Sequence, residues 1–202
     1  MKIDERLNKA IFALDLKEVK RLINQEGLDP NKGDWENKRP LDHAIDVAET
    51  KISLFLLSKK VDFNYINEHG SPLINASSLN DIVLTRKLLK MGADTELQTK
   101  TLETALTETV IAGYASTIRE LLKYGANINH QNKIGNTAIM KAAYLNRVDS
   151  IEELLKHKPD LTIKNNRGET FEDLVQRKPQ LKQILADYNK IHSVGKFADL
   201  LR

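Results

Sequence analysis

The sequence predicts an all-α solenoid of about six helix–turn–helix units, joined by protruding hairpin-like loops and closed by a cap at each end. The first observation behind this is a series of apolar pairs: Leu22-Ile23, Leu56-Leu57, Leu88-Leu89, Leu121-Leu122 and Leu154-Leu155, spaced by 34, 32, 33 and 33 residues. The second is a parallel series seventeen positions earlier, Arg6, Pro40, Pro72, Ala105 and Ala138, which Phe171 continues. Each of the first five is followed at once by Leu7, Leu41, Leu73, Leu106 or Ile139, and three positions later by Ala10, Ala44, Ala76, Thr109 or Ala142. The third is composition: hydrophobic residues make up 41% but aromatics only 5%, so the core must be built from Leu, Ile, Val and Ala, as in short packed helices.

The units follow in chain order within one domain, 1–202. Residues 4–33 lack an opening loop and carry Glu5, Arg6, Lys9, Lys17, Glu18 and Lys20, which suits an N-terminal cap with one wet face. Repeats at 34–66, 67–98, 99–131 and 132–164 come next. Arg39, Ser71, Thr104 and Thr137 precede their first helices, as Thr170 does in the last unit; a hydroxyl there accepts an orphan N–H, and Pro at the first helical position lacks one. The small Ala series lets successive first helices approach closely. Breaks fall at Ala48-Glu49, Asn80-Asp81, Gly113-Tyr114 and Asn146-Arg147, and second helices such as STIRELLKY and SIEELLKH place apolar residues at i, i+3 and i+4. Gly92 and Gly125 suit their C-caps, and Asn/Gly-rich stretches such as GANINHQNKIGNT read as extended arms with a tight turn.

Residues 165–202 form the C-terminal cap and a helical tail. Pro179 starts the last helix, Leu181, Ile184, Leu185, Tyr188 and Ile191 continue its apolar stripe, Gly195 interrupts it, and Phe197, Leu200 and Leu201 make an apolar end. That end suits either folding back onto the last repeat or self-association into a weak homo-oligomer.

Several function classes are argued against. The formal charge of +3, from 31 basic and 28 acidic residues, is too small for a dedicated nucleic-acid or anionic-membrane binder, which leaves weak nucleic-acid or anion binding through loop lysines as an alternative function. There is no cysteine, so disulfides, thiolate nucleophiles and Cys-ligated zinc are excluded. The segment MKIDERLNKA opens no signal peptide, and apolar runs such as Leu54 to Leu57 are far too short to span a bilayer, so a cytoplasmic protein is expected. No phosphate-binding loop, dinucleotide fingerprint, nucleophile elbow or His-Glu-x-x-His occurs, and His43, His69, His130, His157 and His192 show no metal-ligand spacing. Neither catalysis nor a cofactor or metal is expected.

The stretches GSPLINA (70–76) with LLKMGAD (88–94), LETALTETVIAGYAS (102–116) with LLKYGANIN (121–129), and GNTAIMKAA (135–143) with LLKHKPDL (154–161) resemble the ankyrin repeat, and the likeness runs from residue 4 to about residue 186. A stand-alone, bacterial-type ankyrin repeat protein is the nearest description. The resemblance implies a protein–protein interaction scaffold or adaptor whose loop tips and first-helix ends line a concave surface for a protein partner. By position, the tips are Trp35, Glu36, Lys38, His69, Lys100, Thr101, Glu103, Lys133, Ile134, Asn136, Asn166, Arg167 and Glu169. The helix ends add Asp46, Val47, Ser78, Leu79, Ile111, Ala112, Tyr144 and Leu145. Trp35, the single tryptophan, suits either a binding hot spot or packing on the adjacent loop.

Three departures from the repeat pattern carry expectations. The family's His after the first Leu is replaced by Asn8, Asp42, Ile74, Thr107 and Met140, which removes the side-chain bond that ties neighbouring loops. Leu102 stands where the loop Gly belongs, predicting an irregular third-to-fourth loop. The loop before Pro72 is one residue short.

Overall fold

The computed structural model describes residues 5–34 and 36–199, with side chains as far as residue 190. Among them, twelve helices form six pairs: α1 (Arg6–Phe12) with α2 (Leu16–Asn24), α3 (Pro40–Asp46) with α4 (Thr50–Leu57), α5 (Pro72–Ser78) with α6 (Ile82–Lys90), α7 (Ala105–Ala112) with α8 (Ala115–Lys123), α9 (Ala138–Tyr144) with α10 (Val148–Lys156), and α11 (Phe171–Gln176) with α12 (Pro179–Asp199). First helices pack on first helices from α1 to α11, and second helices on second helices from α2 to α12. This neighbour-to-neighbour contact is that of a solenoid.

The helix starts follow from the capping residues. Ser71, Thr104 and Thr170 accept from the backbone N–H of Ile74, Thr107 and Asp173. At Arg39, which has no acceptor, Asp42 reaches back instead, its Oδ2 2.9 Å from the Arg39 backbone N. Thr137 departs from the pattern: its hydroxyl is buried and accepts nothing. Between the helices of a pair the chain turns through a left-handed residue, with Leu14, Ala48, Asn80, Gly113 and Asn146 at φ of 56°, 54°, 58°, 84° and 54°. The expected breaks are these turns. Asp15, Glu49 and Asp81 then cap the second helices α2, α4 and α6.

Both series point inward, apart from exposed Arg6 in the N-terminal cap and half-buried Ile23 and Leu122. Leu22, Leu56, Leu88, Leu121 and Leu154 have no solvent exposure, and Leu41, Leu73, Leu106 and Ile139 are buried beside Ala44, Ala76 and Ala142. Each such Leu contributes about 1.5–3 kcal/mol by leaving water. Thr109, in the Ala series, is tolerated because its hydroxyl bonds back to the Ala105 carbonyl at 2.7 Å. In α12, Leu181 and Leu185 are buried and Ile184 and Tyr188 half-buried against the core. The break expected at Gly195 is absent, since the helical backbone continues to Asp199; one glycine in a helix costs only about 1 kcal/mol. The side chains of Ile191 and Phe197, together with Leu200 and Leu201, lie outside the described residues, as does Trp35.

The loops form two further columns. Asn31, Asn64, Glu96 and Asn129 each accept, through a side-chain oxygen, from the backbone N–H of the next unit's Asp62, Asp94, Asn127 and Asp160, at 2.8–2.9 Å. The second column lies at the hairpin tips. There the Asn132 and Asn165 backbones close on Asn136 and Glu169, both at 3.0 Å, and Thr99 closes on Glu103 in the same way at 3.0 Å. The loop holding Leu102 is therefore regular, because Leu102 itself adopts the left-handed conformation at φ 58°. The loop before Pro72 is short, closing from Asn67 to Gly70.

Candidate functional site

The last three hairpin tips and the ends of α7 and α9 enclose a groove of about 640 Å³. Glu103, Ile111, Asn136, Tyr144, Leu145 and Asn166, all expected as contact residues, line it together. Ile134 and Arg167, named among the loop tips, line it too, and so do Asn132, Lys141 and Asn165, which sequence reasoning missed.

The frame of the groove is polar and mutually bonded. Asn132 uses both ends of its amide. Its Oδ1 accepts from the Ile134 and Asn136 backbones at 3.1 and 3.0 Å, and its Nδ2 donates to Glu103 of the preceding loop at 2.8 Å. Thirty-three positions on, Asn165 repeats the device, accepting from the Arg167 and Glu169 backbones and donating to Asn136 at 3.0 Å. Asn67 does likewise to Asp42, 2.9 Å away. The loops are thus tied despite the missing family His, by an amide on the following loop. Asp42 is fully buried, and burial pushes its carboxyl up against the opposing bonds from the Arg39 backbone, Tyr65 and Asn67. The 33-residue recurrence of Asn132 and Asn165 was the sequence signal for this column, interrupted by Thr99 and Asp34 at the equivalent places.

On one wall, Tyr144 donates to Glu169 at 2.6 Å. That bond, then Arg177 and Asn165, holds the Glu169 carboxyl down to about 2. On the floor, Lys141 Nζ sits 2.8 Å from Glu103 Oε1 and 3.7 Å from Glu108 Oε1. Over this frame stand apolar groups open to solvent: Ile134 is 60% exposed and Leu145 43%, beside half-buried Ile111 and Tyr144.

The other expected contact residues lie elsewhere or are engaged. Lys38 and Asp46 pair with each other. Lys100 pairs with Glu68 at 3.1 Å, His69 is exposed at its own tip, and Leu79 is exposed at the end of α5. Lys133 is exposed, and its backbone bridges Thr101 and Asn166. Glu103 and Asn136, expected at exposed tips, are 7% and 5% exposed, because the cross-loop amides draw them into the floor. His43 is buried against Asp34 at 2.8 Å, and His130 meets the Leu102 carbonyl. Among the described residues no group of three His, Asp or Glu side chains could hold a metal ion, and no helix is long and apolar enough to cross a membrane.

Residues 73–165, the stretch that builds the groove, match the family model described as ankyrin repeats (3 copies). That stretch belongs to the ankyrin repeat family. Solved structures share its fold. An ankyrin repeat domain from Acinetobacter baumannii AYE superposes with a TM-score of 0.84 at 23% identity, over 92% of this chain and 98% of that one. A chain from the complex of the predatory endopeptidase Bd0816 of Bdellovibrio bacteriovorus with the immunity protein Bd3460 gives a TM-score of 0.78 at 27% identity, over 89% of this chain and 94% of that one. No curated protein matches. Ankyrin repeats generally mediate protein–protein interaction and are typically non-enzymatic.

Proposed function

We propose that this ankyrin repeat protein is a non-enzymatic adaptor that binds a partner protein in the groove between its last three hairpin tips. The observation that carries the reading is the placement of exposed Ile134 and Leu145, with Ile111 and Tyr144, over a frame whose polar groups already bond one another. Such a surface loses little freedom on binding, so apolar contact turns into affinity efficiently. The Bdellovibrio complex, in which a similar chain takes part in a protein–protein assembly, supports the same class of function.

The test is chemical cross-linking in the native cell with the wild-type chain, an Ile134→Asp/Leu145→Asp double variant, and Leu79→Asp as a control. All three residues are exposed, so the fold is expected to survive. A partner captured by wild type and by Leu79→Asp, and lost with the double variant, is the expected result. Equal capture by all three refutes the groove as the docking face.

A further inference from the structure

We infer that the groove recognises a cationic side chain, lysine or arginine, presented by its partner next to an apolar residue; this rests on the groove being the docking face. Glu103 and Lys141 line the floor and Glu108 lies behind them, outside the lining, so that two carboxylates face one ammonium. Glu103 is 7% exposed; its Oε1 accepts from both Asn132 and Lys141 at 2.8 Å, while its Oε2 accepts from nothing. Among the groove's described lining residues, Oε2 is the one buried side-chain polar atom without a partner. The Asn132, Asn136 and Asn165 amides and the Tyr144 hydroxyl are all engaged. A buried acceptor of this kind is an anomaly that a bound donor removes.

The walls define the rest of the ligand. Ile111, Tyr144 and Leu145 offer an apolar track beside the floor. A lysine or arginine side chain has the matching make-up, an aliphatic stem ending in N–H donors and a positive charge. A neutral donor would satisfy Oε2 but leave the floor with its excess negative charge. An anion would meet two carboxylates. Arg167 is exposed, where solvent and salt screen it from the floor. Oε2 has almost no contact with solvent, so the incoming head group must share Glu103 with Lys141 or displace it. Glu108, 3.7 Å from Lys141 Nζ, is placed to receive the displaced ammonium. The bound floor then pairs two cations with two carboxylates.

The test uses the full chain and two probes, N-acetyl-leucyl-arginine methylamide and its neutral counterpart with norleucine, titrated while the methyl NMR signals of Ile111 and Ile134 are followed. Saturable shifts are expected with the arginine probe, at least about tenfold tighter than with norleucine, the scale of a charge-assisted hydrogen bond. Glu103→Gln keeps an acceptor for Asn132 and should abolish the preference for arginine over norleucine. Lys141→Met, which removes the competing ammonium, should tighten the arginine probe. Equal affinity for both probes overturns the cation assignment and leaves the apolar groove standing. Shifts with neither probe overturn the groove reading as well. The wild-type comparison decides the matter even if a variant does not fold.

Discussion

Leu102 holds its backbone at φ 58° where two neighbouring tips use Gly135 and Gly168, and a side chain in that region costs about 1–2 kcal/mol. Leu102→Gly should therefore raise stability by about 0.5–1 kcal/mol, after the greater freedom of glycine in the unfolded chain is offset. A urea midpoint that falls rather than rises would show the strain to be absent. The residue was legible as an oddity in sequence, but its outcome was not. The hydrogen bonds of a tip are set by its neighbours, and these hold Leu102 to the common shape. Lys141 was missed for a related reason. On a helix otherwise built of buried Ala138, Ile139, Met140, Ala142 and Ala143, a lysine reads as a solvated residue, and only the position of Glu103 on the preceding loop gives it a partner.

At the scale of elements, second helices are linked by charge as well as by apolar contact. Arg119 on α8 makes two bonds of 2.7 Å to Glu153 on α10, and Arg86 on α6 makes one of 2.8 Å to Glu120 on α8. Bonding from Arg119, opposed by burial and aided by Lys156, holds the Glu153 carboxyl at about 2. A glutamate in the unfolded chain titrates near 4.3. The folded state thus favours the ionised form; this stabilisation is complete above about pH 4.5 and is lost as pH falls toward 2. The thermal midpoint of the wild-type chain should drop across that window, and Glu153→Gln should show a shallower drop from a lower starting value. Equal slopes would remove Glu153 from the acid response. The helices themselves were readable in sequence because capping hydroxyls, left-handed turn residues and Leu pairs all act within one unit. These ties were not, since each joins residues 34 apart whose facing depends on how units stack.

For the whole molecule, stability is a sum over neighbours, and interior units have two where the ends have one. Amide hydrogen exchange is expected to be slowest in α5, α7 and α9 and fastest in α1, α2 and α12, in a graded profile. A flat profile would mean that the stack opens only as a single body. The architecture was legible from the start because its period is linear in the chain. The groove was legible in outline, through Glu103, Ile111, Asn136, Tyr144, Leu145 and Asn166, but Asn132, Lys141 and Asn165 were not, because its lining comes from three different units. The column running from Asn31 through Asn64, Glu96 and Asn129 has a consequence for the growth of such a chain. The units 34–66, 67–98 and 99–131 each carry an acceptor for the next unit and a donor for the one before. A tandem duplication of residues 99–131 would restore every one of these links at both seams, so the molecule can lengthen by copying itself.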